Sequence, residues 1–220
     1  MSSPQKQPNG RRHTTCGTQG EQELPIKPAW QGYIKNSVSA CVLMTAALKG
    51  FVQHMPRRPG EGERAELIKS GNIFIYQESV SNIRRWTDGL NWSPSRILGN
   101  FLVYRELSEP FPAGQKKKAL KKHQNRNASR AEAKAKTTNP LIPEEDMRKL
   151  VGSLTDSYDF KEDGLVKKTI SITVKGQIHH IVSYYKPMDV YRKKLYDVCD
   201  DPFFHDCVPP LDMLNPTAFR

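Results

Sequence analysis

Apolar residues recur along this chain at two periods, and each period predicts a different element. Between Asn36 and Gly50, Val38, Val42 and Ala46 return every four residues, joined by Leu43 and Ala47. That spacing predicts a helix with this face in the core, and Gly50 supplies its stop. Glu61 to Ser70 reads as a second short helix, with acids early, Lys69 late and Gly71 just past its end. Trp30–Ile34, Asn72–Glu78 and Phe101–Leu107 are short β-branched or aromatic runs, which predict strands. From Gly164 to Tyr185, one arm carries Leu165, Ile170, Ile172 and Val174, and the other Ile178, Ile181, Val182 and Tyr184. Lys175-Gly176 between them is a natural reversal, so this stretch predicts a β-hairpin.

Polar stretches separate these elements. Residues 1–28 are rich in Gln, Gly, Pro and Thr without hydrophobic period, and read as a disordered arm. Residues 112–151 hold a basic block and an Ala-, Lys- and Asn-rich run with little to bury, and read as a linker. Within it, Pro143 to Leu150 has helix-start chemistry, with Pro first and acids in the first turn. An isolated hairpin is marginal in water, so residues 152–186 should complete a sheet begun by residues 29–111. The expected fold class is α+β: one domain from two sequence blocks sharing antiparallel sheet, with few short helices and a disordered basic linker between. Residues 187–220 read as a short tail rich in Pro and Asp, with a helix from Asp189 to Val198.

Charge narrows the function. With 34 Lys and Arg against 23 Asp and Glu, the formal net charge is +11, which favours a polyanionic partner, nucleic acid first and an anionic membrane surface second. No apolar run approaches the ~18 residues of a membrane span, and the first ten residues lack the apolar core of a secretory signal. Cys16, Cys41, Cys199 and Cys207 show no framework spacing, which fits a reduced intracellular compartment. Cys199, His205 and Cys207 lack the second well-spaced pair of a zinc site, and no cofactor is expected. P-loop, nucleophile-elbow and H-E-x-x-H patterns do not occur, and His179 and His180 should face opposite sides of a strand. An enzyme is not expected.

The densest chemistry lies in Ile83-Arg84-Arg85-Trp86-Thr87-Asp88-Gly89-Leu90-Asn91-Trp92-Ser93-Pro94-Ser95-Arg96. Two arginines and two tryptophans crowd an Asp-Gly turn. Gly89 accepts positive φ and Asp88 bonds its local backbone, so together they make a tight turn. Trp86 and Trp92 are placed to brace it from beneath. A hairpin turn with two surface arginines and two core tryptophans is the plainer alternative. Ser93 can cap a helical turn beginning at Pro94, which with Ser95 would present donors to a phosphate. Arg96, Lys69, Arg57, Arg58, Lys167 and Lys168 are further phosphate candidates. Lys116, Lys117, Lys118, Lys121 and Lys122 read as a nuclear import signal or a non-specific DNA clamp. Arg84-Arg85-Trp86-Thr87 also fits a basophilic kinase site, and phosphate on Thr87 would set negative charge beside the arginines.

The ordered run Arg84 to Gly89, then Trp92 to Arg96, then Gly99-Asn100-Phe101-Leu102-Val103-Tyr104-Arg105-Glu106, resembles the signature of the WOPR domain. This is the fungal family of white–opaque switching and morphology regulators. Gly32-Tyr33-Ile34 and Leu67 to Gly71 resemble its first block. Leu165 to Ile172 and His180 to Tyr185 resemble its second. The resemblance implies a nuclear, sequence-specific transcription regulator whose two blocks interlock into one α+β unit. It also implies A·T-rich duplex sites, with a loop arginine in the minor groove; by position in the family pattern this is Arg85. An A·T minor groove is narrow, negative and lined by acceptors, which suits a planar, permanently charged guanidinium. Co-regulators are expected partners. An RNA-binding or ribosome-associated basic protein is the alternative that charge and aromatics would serve equally well.

Overall fold

The structure is a computed structural model describing residues 26–111 and 141–219. Its strands are β1 (Trp30–Gln31), β2 (Asn72–Gln77), β3 (Arg96–Leu98), β4 (Phe101–Arg105), β5 (Val166–Val174) and β6 (Gln177–Tyr185). They form one antiparallel sheet in the order β1-β2-β6-β5-β4-β3. The β5–β6 hairpin turns on Lys175 and Gly176, both at positive φ (47° and 76°), the requirement of the two-residue turn that matches strand twist. The hairpin lies between β2 and β4. Ile73 to Gln77 pair with β6, and Leu102 to Arg105 pair with β5. The first block's two strand pairs, β1–β2 and β3–β4, are therefore joined in the sheet only through the second block.

Each sheet face carries its own apolar cluster. Ile73, Ile75, Val103, Ile170, Ile172, Ile181 and Tyr185 belong to the larger cluster, with Leu43 and Met44 of α1 (Ser37–Leu48). Asn36 caps α1, its side chain accepting from the Ser39 N–H at 3.1 Å. Here the periodic face predicted from sequence is only partly right. Val38 is 50% exposed, whereas Ala40, Cys41, Leu43 and Met44 are fully buried. The shift arises because the C-terminal segment packs against α1 from a second side. On the opposite face, Phe74, Tyr76, Val182 and Tyr184 form a smaller cluster with Met55, Leu67 and Ile83, against which Trp86, Leu90 and Trp92 pack.

Local expectations were corrected in several places. The strand expected over Trp30–Ile34 is only Trp30–Gln31, and the second helix, α2 (Glu61–Leu67), ends three residues before Ser70. No helical turn begins at Pro94. Residues 93–95 run extended beside β4, because Ser93 N–H donates to the Arg105 carbonyl and Ser93 Oγ accepts from Arg105 N–H. A short helix α3 (Glu78–Ser81) precedes the tryptophan window.

Two segments expected to lie outside the domain, as linker and tail, contain folded parts. Within the expected 112–151 linker lies α4 (Glu144–Val151), with three acids in its first turn and Met147, Leu150 and Val151 buried. Those positions, three and four residues apart, make one apolar stripe that the polar flanks obscured. The expected 187–220 tail is folded through residue 219. Its helix is α5 (Pro187–Tyr191) rather than Asp189–Val198, followed by 3₁₀ turns at Val198–Asp200 and Pro202–Phe204, α6 (Leu211–Leu214) and a last 3₁₀ turn at Pro216–Ala218. Val198, Phe204, Cys207 and Met213 are buried in the larger cluster, and Phe219 bridges to Ile172. Prolines and aspartates start these turns, and single apolar residues between them reach the core. Isolated apolar positions give no period, so the segment looked like a tail.

His179 and His180 do face opposite sides. His180 lies between Ser171 and Glu78, while His179, 3% exposed, meets His54 at 3.3 Å. Burial, reinforced by His54 and His180, pushes His179 from 6.5 down to about 4. Its stabilising neutral state is thus complete above pH 6.5 and is lost as pH falls toward 4, because the unfolded chain takes up the proton first. This should remove roughly 3 kcal/mol of stability across that window. Urea midpoints at pH 7 and pH 4.5 check it, with His179→Phe expected to show a smaller acid-induced fall.

Candidate nucleic-acid interface

The Asp-Gly turn is built over the smaller cluster, and Asp88 is its pivot. Asp88 is only 4% exposed. Its Oδ1 accepts from Leu90 N–H (3.3 Å) and Trp92 Nε1 (2.8 Å). Its Oδ2 accepts from Lys167 Nζ (2.9 Å) and Tyr184 Oη (2.7 Å). Four donors fill the four main acceptor positions of one carboxylate. Burial alone would raise the Asp88 pKa, but the charge on Lys167 and the bonds from Trp92, Lys167 and Tyr184 hold it below the usual carboxylate range. Gly89 follows at φ +80°, a conformation that a side chain would strain.

Both tryptophans brace the turn. Trp86 Nε1 donates to Tyr184 Oη at 2.5 Å, and its ring stacks on Tyr76 with 11° between planes. The Trp92 ring lies under Lys167, whose ammonium is 4.4 Å from the ring centroid and 5.0 Å from that of Tyr104. Above this base, Arg84, Arg85 and Thr87 are exposed. Among the described residues, neither guanidinium has an ion-pair partner. The Arg58 side chain joins them from the turn before α2, donating to the Arg85 carbonyl at 3.5 Å.

The remaining candidates divide. Arg57 is held by Glu63 through two bonds of 2.8 and 3.0 Å, and Lys69 pairs with Glu66 at 2.6 Å. Lys69 lines a cleft beside Leu90 with Arg192 and with Lys161, Lys186 and Lys194, which meet Glu106, Asp163 and Asp189. Arg96 donates to Tyr158 Oη at 3.1 Å and to the Ser95 carbonyl, and Ser93 is buried between strands. The expectation for Lys167 and Lys168 needs correction, because neither ammonium faces solvent. Lys167 is 8% exposed and Lys168 3%. Lys168 Nζ donates to the carbonyls of Ile34 (2.8 Å) and Lys35 (3.0 Å), and burial lowers its pKa to about 8. Both sit on β5 where β4 and β6 flank them, so the alternation that exposes one face of an edge strand does not apply.

Arg64 of α2 was missed. Its Nη1 lies 3.2 Å from where a Cβ on Gly89 would stand, and its buried Nε has no hydrogen-bond partner among the described residues. Nothing in the local sequence ties it to a turn 25 residues on. Lys116, Lys117, Lys118, Lys121 and Lys122 lie outside the described residues. Among the described residues, no three His, Cys, Asp or Glu side chains gather as a metal site would require, and no helix is long and apolar enough to cross a membrane.

A sheet completed by a distant hairpin, with an arginine turn seated on one face, defines a WOPR-type domain. The family model described as the Gti1/Pac2 family matches residues 29–186, and the chain belongs to that family. It is 47% identical over 212 residues to the global transcription regulator sge1 of Gibberella fujikuroi, covering 90% of this chain and 64% of that protein. It is 33% identical to the transcriptional regulator MIT1 of Saccharomyces cerevisiae, covering 87% of this chain and 33% of that protein. The chain thus spans less than two thirds of these relatives' length. Among solved structures it is similar to the WOPR domain of Wor1 from Candida albicans in complex with a 13-base-pair double-stranded DNA. That match has a TM-score of 0.58 and 29% identity, covering 86% of this chain and 97% of that one.

Proposed function

We propose that this chain is a sequence-specific, DNA-binding transcription regulator acting in the nucleus. Arg85 enters the minor groove of A·T-rich duplex DNA, with Arg84 beside it and Arg58 and Arg96 on flanking phosphates. The observation that carries this reading is the pair of exposed guanidiniums, without ion-pair partners among the described residues, on a turn whose Asp88 carboxylate is fully hydrogen-bonded. A hydrogen-bonded base and a charged tip suit a narrow, electronegative groove, where a turn already held in place gives up little freedom on binding. The solved DNA complex of a similar domain and the names of the relatives support it. The Lys116–Lys122 block serves nuclear import or adds non-specific DNA contacts. Co-regulators are further partners.

Titration of A·T-rich and G·C-rich duplexes at two salt concentrations tests the reading. Arg85→Ala is expected to lower A·T affinity by about 1–3 kcal/mol and to erase the preference, leaving salt-sensitive residual binding. Equal wild-type affinity for the two duplexes, or tighter binding to single-stranded RNA, would overturn it. Thr87, exposed one residue beyond Trp86, is open to a basophilic kinase. Phosphate there would oppose the groove's own charge, so Thr87→Glu in the same titration should bind more weakly than wild type.

A further inference from the structure

Lys167 is an odd residue to find at the base of a binding turn. It comes from the middle of the sheet, 79 residues from Asp88 in sequence, and is only 8% exposed. Buried ion pairs add little net stability beside an apolar replacement, so stability alone does not account for it. A directional arrangement does. The ammonium is fixed by the Asp88 carboxylate at 2.9 Å and by the Trp92 and Tyr104 rings. The same carboxylate fixes the Leu90 N–H and the Trp92 indole. Tyr184 links it to Trp86, the residue after Arg85. Thus the Leu90, Trp92, Lys167 and Tyr184 donors converge on one carboxylate, and the strands that aim Lys167 and Tyr184 at it belong to the second block.

Resting on the reading of this turn as the DNA-contacting element, we propose that Lys167 is a positioning residue for DNA recognition. From the hairpin it holds Asp88, and through Asp88 the tryptophan turn, so that Arg84 and Arg85 present one fixed orientation to the duplex. It is not a phosphate contact. Its role separates from general folding because orientation governs discrimination between sequences, whereas phosphate contacts govern salt dependence.

The test uses the full chain carrying Lys167→Met, Lys167→Arg, or the double change Asp88→Asn with Lys167→Met, alongside Arg85→Ala. Three quantities are read: the A·T to G·C affinity ratio, the slope of log affinity against log salt, and amide exchange of residues 84–90 relative to β5 and β6. Lys167→Met is expected to lower the ratio about tenfold with an unchanged salt slope. Its turn amides should exchange faster while the strands stay protected, and Lys167→Arg should recover part of the ratio. The double variant removes both charges and covers the case in which a stranded Asp88 unfolds the single variant. It should keep strand protection and still lose discrimination. An intact ratio in Lys167→Met or in the double variant overturns the proposal. So does a salt slope reduced by about one with the ratio intact, the mark of a phosphate contact. A ratio lost in Arg85→Ala but kept in Lys167→Met overturns the positioning role alone. A ratio unaltered by Arg85→Ala overturns the minor-groove reading, and turn amides then decide whether Lys167 orders the turn.

Discussion

Ending the chain after Lys186 is expected to leave a protein that does not fold, although the family match itself stops at residue 186. The lost segment supplies Val198, Phe204, Cys207 and Met213 to the larger cluster, each nearly or fully buried. At about 1.5–3 kcal/mol each for Val198, Phe204 and Met213, their removal withdraws on the order of 4–9 kcal/mol. Total domain stability is typically ~5–15 kcal/mol. The exposed remainder makes matters worse. Phe204 is the edge-on partner of Trp30, and the Met213 carbonyl accepts from the Cys41 thiol. The Asp197 carboxylate, which accepts from Ser39 Oγ at 2.8 Å, would go as well. Circular dichroism and urea titration of the 1–186 fragment check this. Cooperative unfolding within about 1–2 kcal/mol of the full chain would show that the segment only decorates the domain.

Asp88→Ala is the second large effect, and it acts on both stability and recognition. The change leaves the Lys167 ammonium, the Tyr184 hydroxyl and the Trp92 indole N–H without their acceptor in a buried site. Breaking a buried pair in this way costs about 3–5 kcal/mol. Asp88→Asn retains an acceptor oxygen and should destabilise less, so comparing urea midpoints of the two variants isolates the hydrogen bonds from the charge. Acid has the matching signature. The folded Asp88 pKa lies below its unfolded value of 3.8. Its contribution is therefore complete above that value and is lost as pH falls through the lower folded one. Midpoints that are equal for Asp88→Ala and wild type would remove Asp88 from the pivot of the turn.

Much of the frame was legible. The hairpin announced itself through apolar, β-branched arms on both sides of Lys175-Gly176, and α1 through its spacing and its Gly50 stop. The Asp-Gly turn and the bracing tryptophans followed from residue chemistry that acts within a few positions. What hid was the packing of segments whose apolar residues occur singly, as in 187–219, or in one short stripe beside a charged run, as in α4, whose helix start at Pro143 was legible but whose burial was not. Lys167 and Lys168 were misjudged because a lysine's surroundings depend on which strands flank it, and strand order is not written in local pattern. Arg64 was invisible for the same reason.

By itself, then, the sequence determined the local elements, the split into two blocks and the turn that carries Arg84 and Arg85. Periodicity, capping and turn formation are short-range effects, and one stretch of chain contains everything they need. Only the tertiary structure decided that the hairpin lies inside the first block's sheet. That placement sets Lys167 and Tyr184 beneath Asp88 and folds the last 30 or so residues into the core. Those contacts join residues far apart in the chain. The burial of a charge or of a lone side chain exists only once the strands around it are assembled.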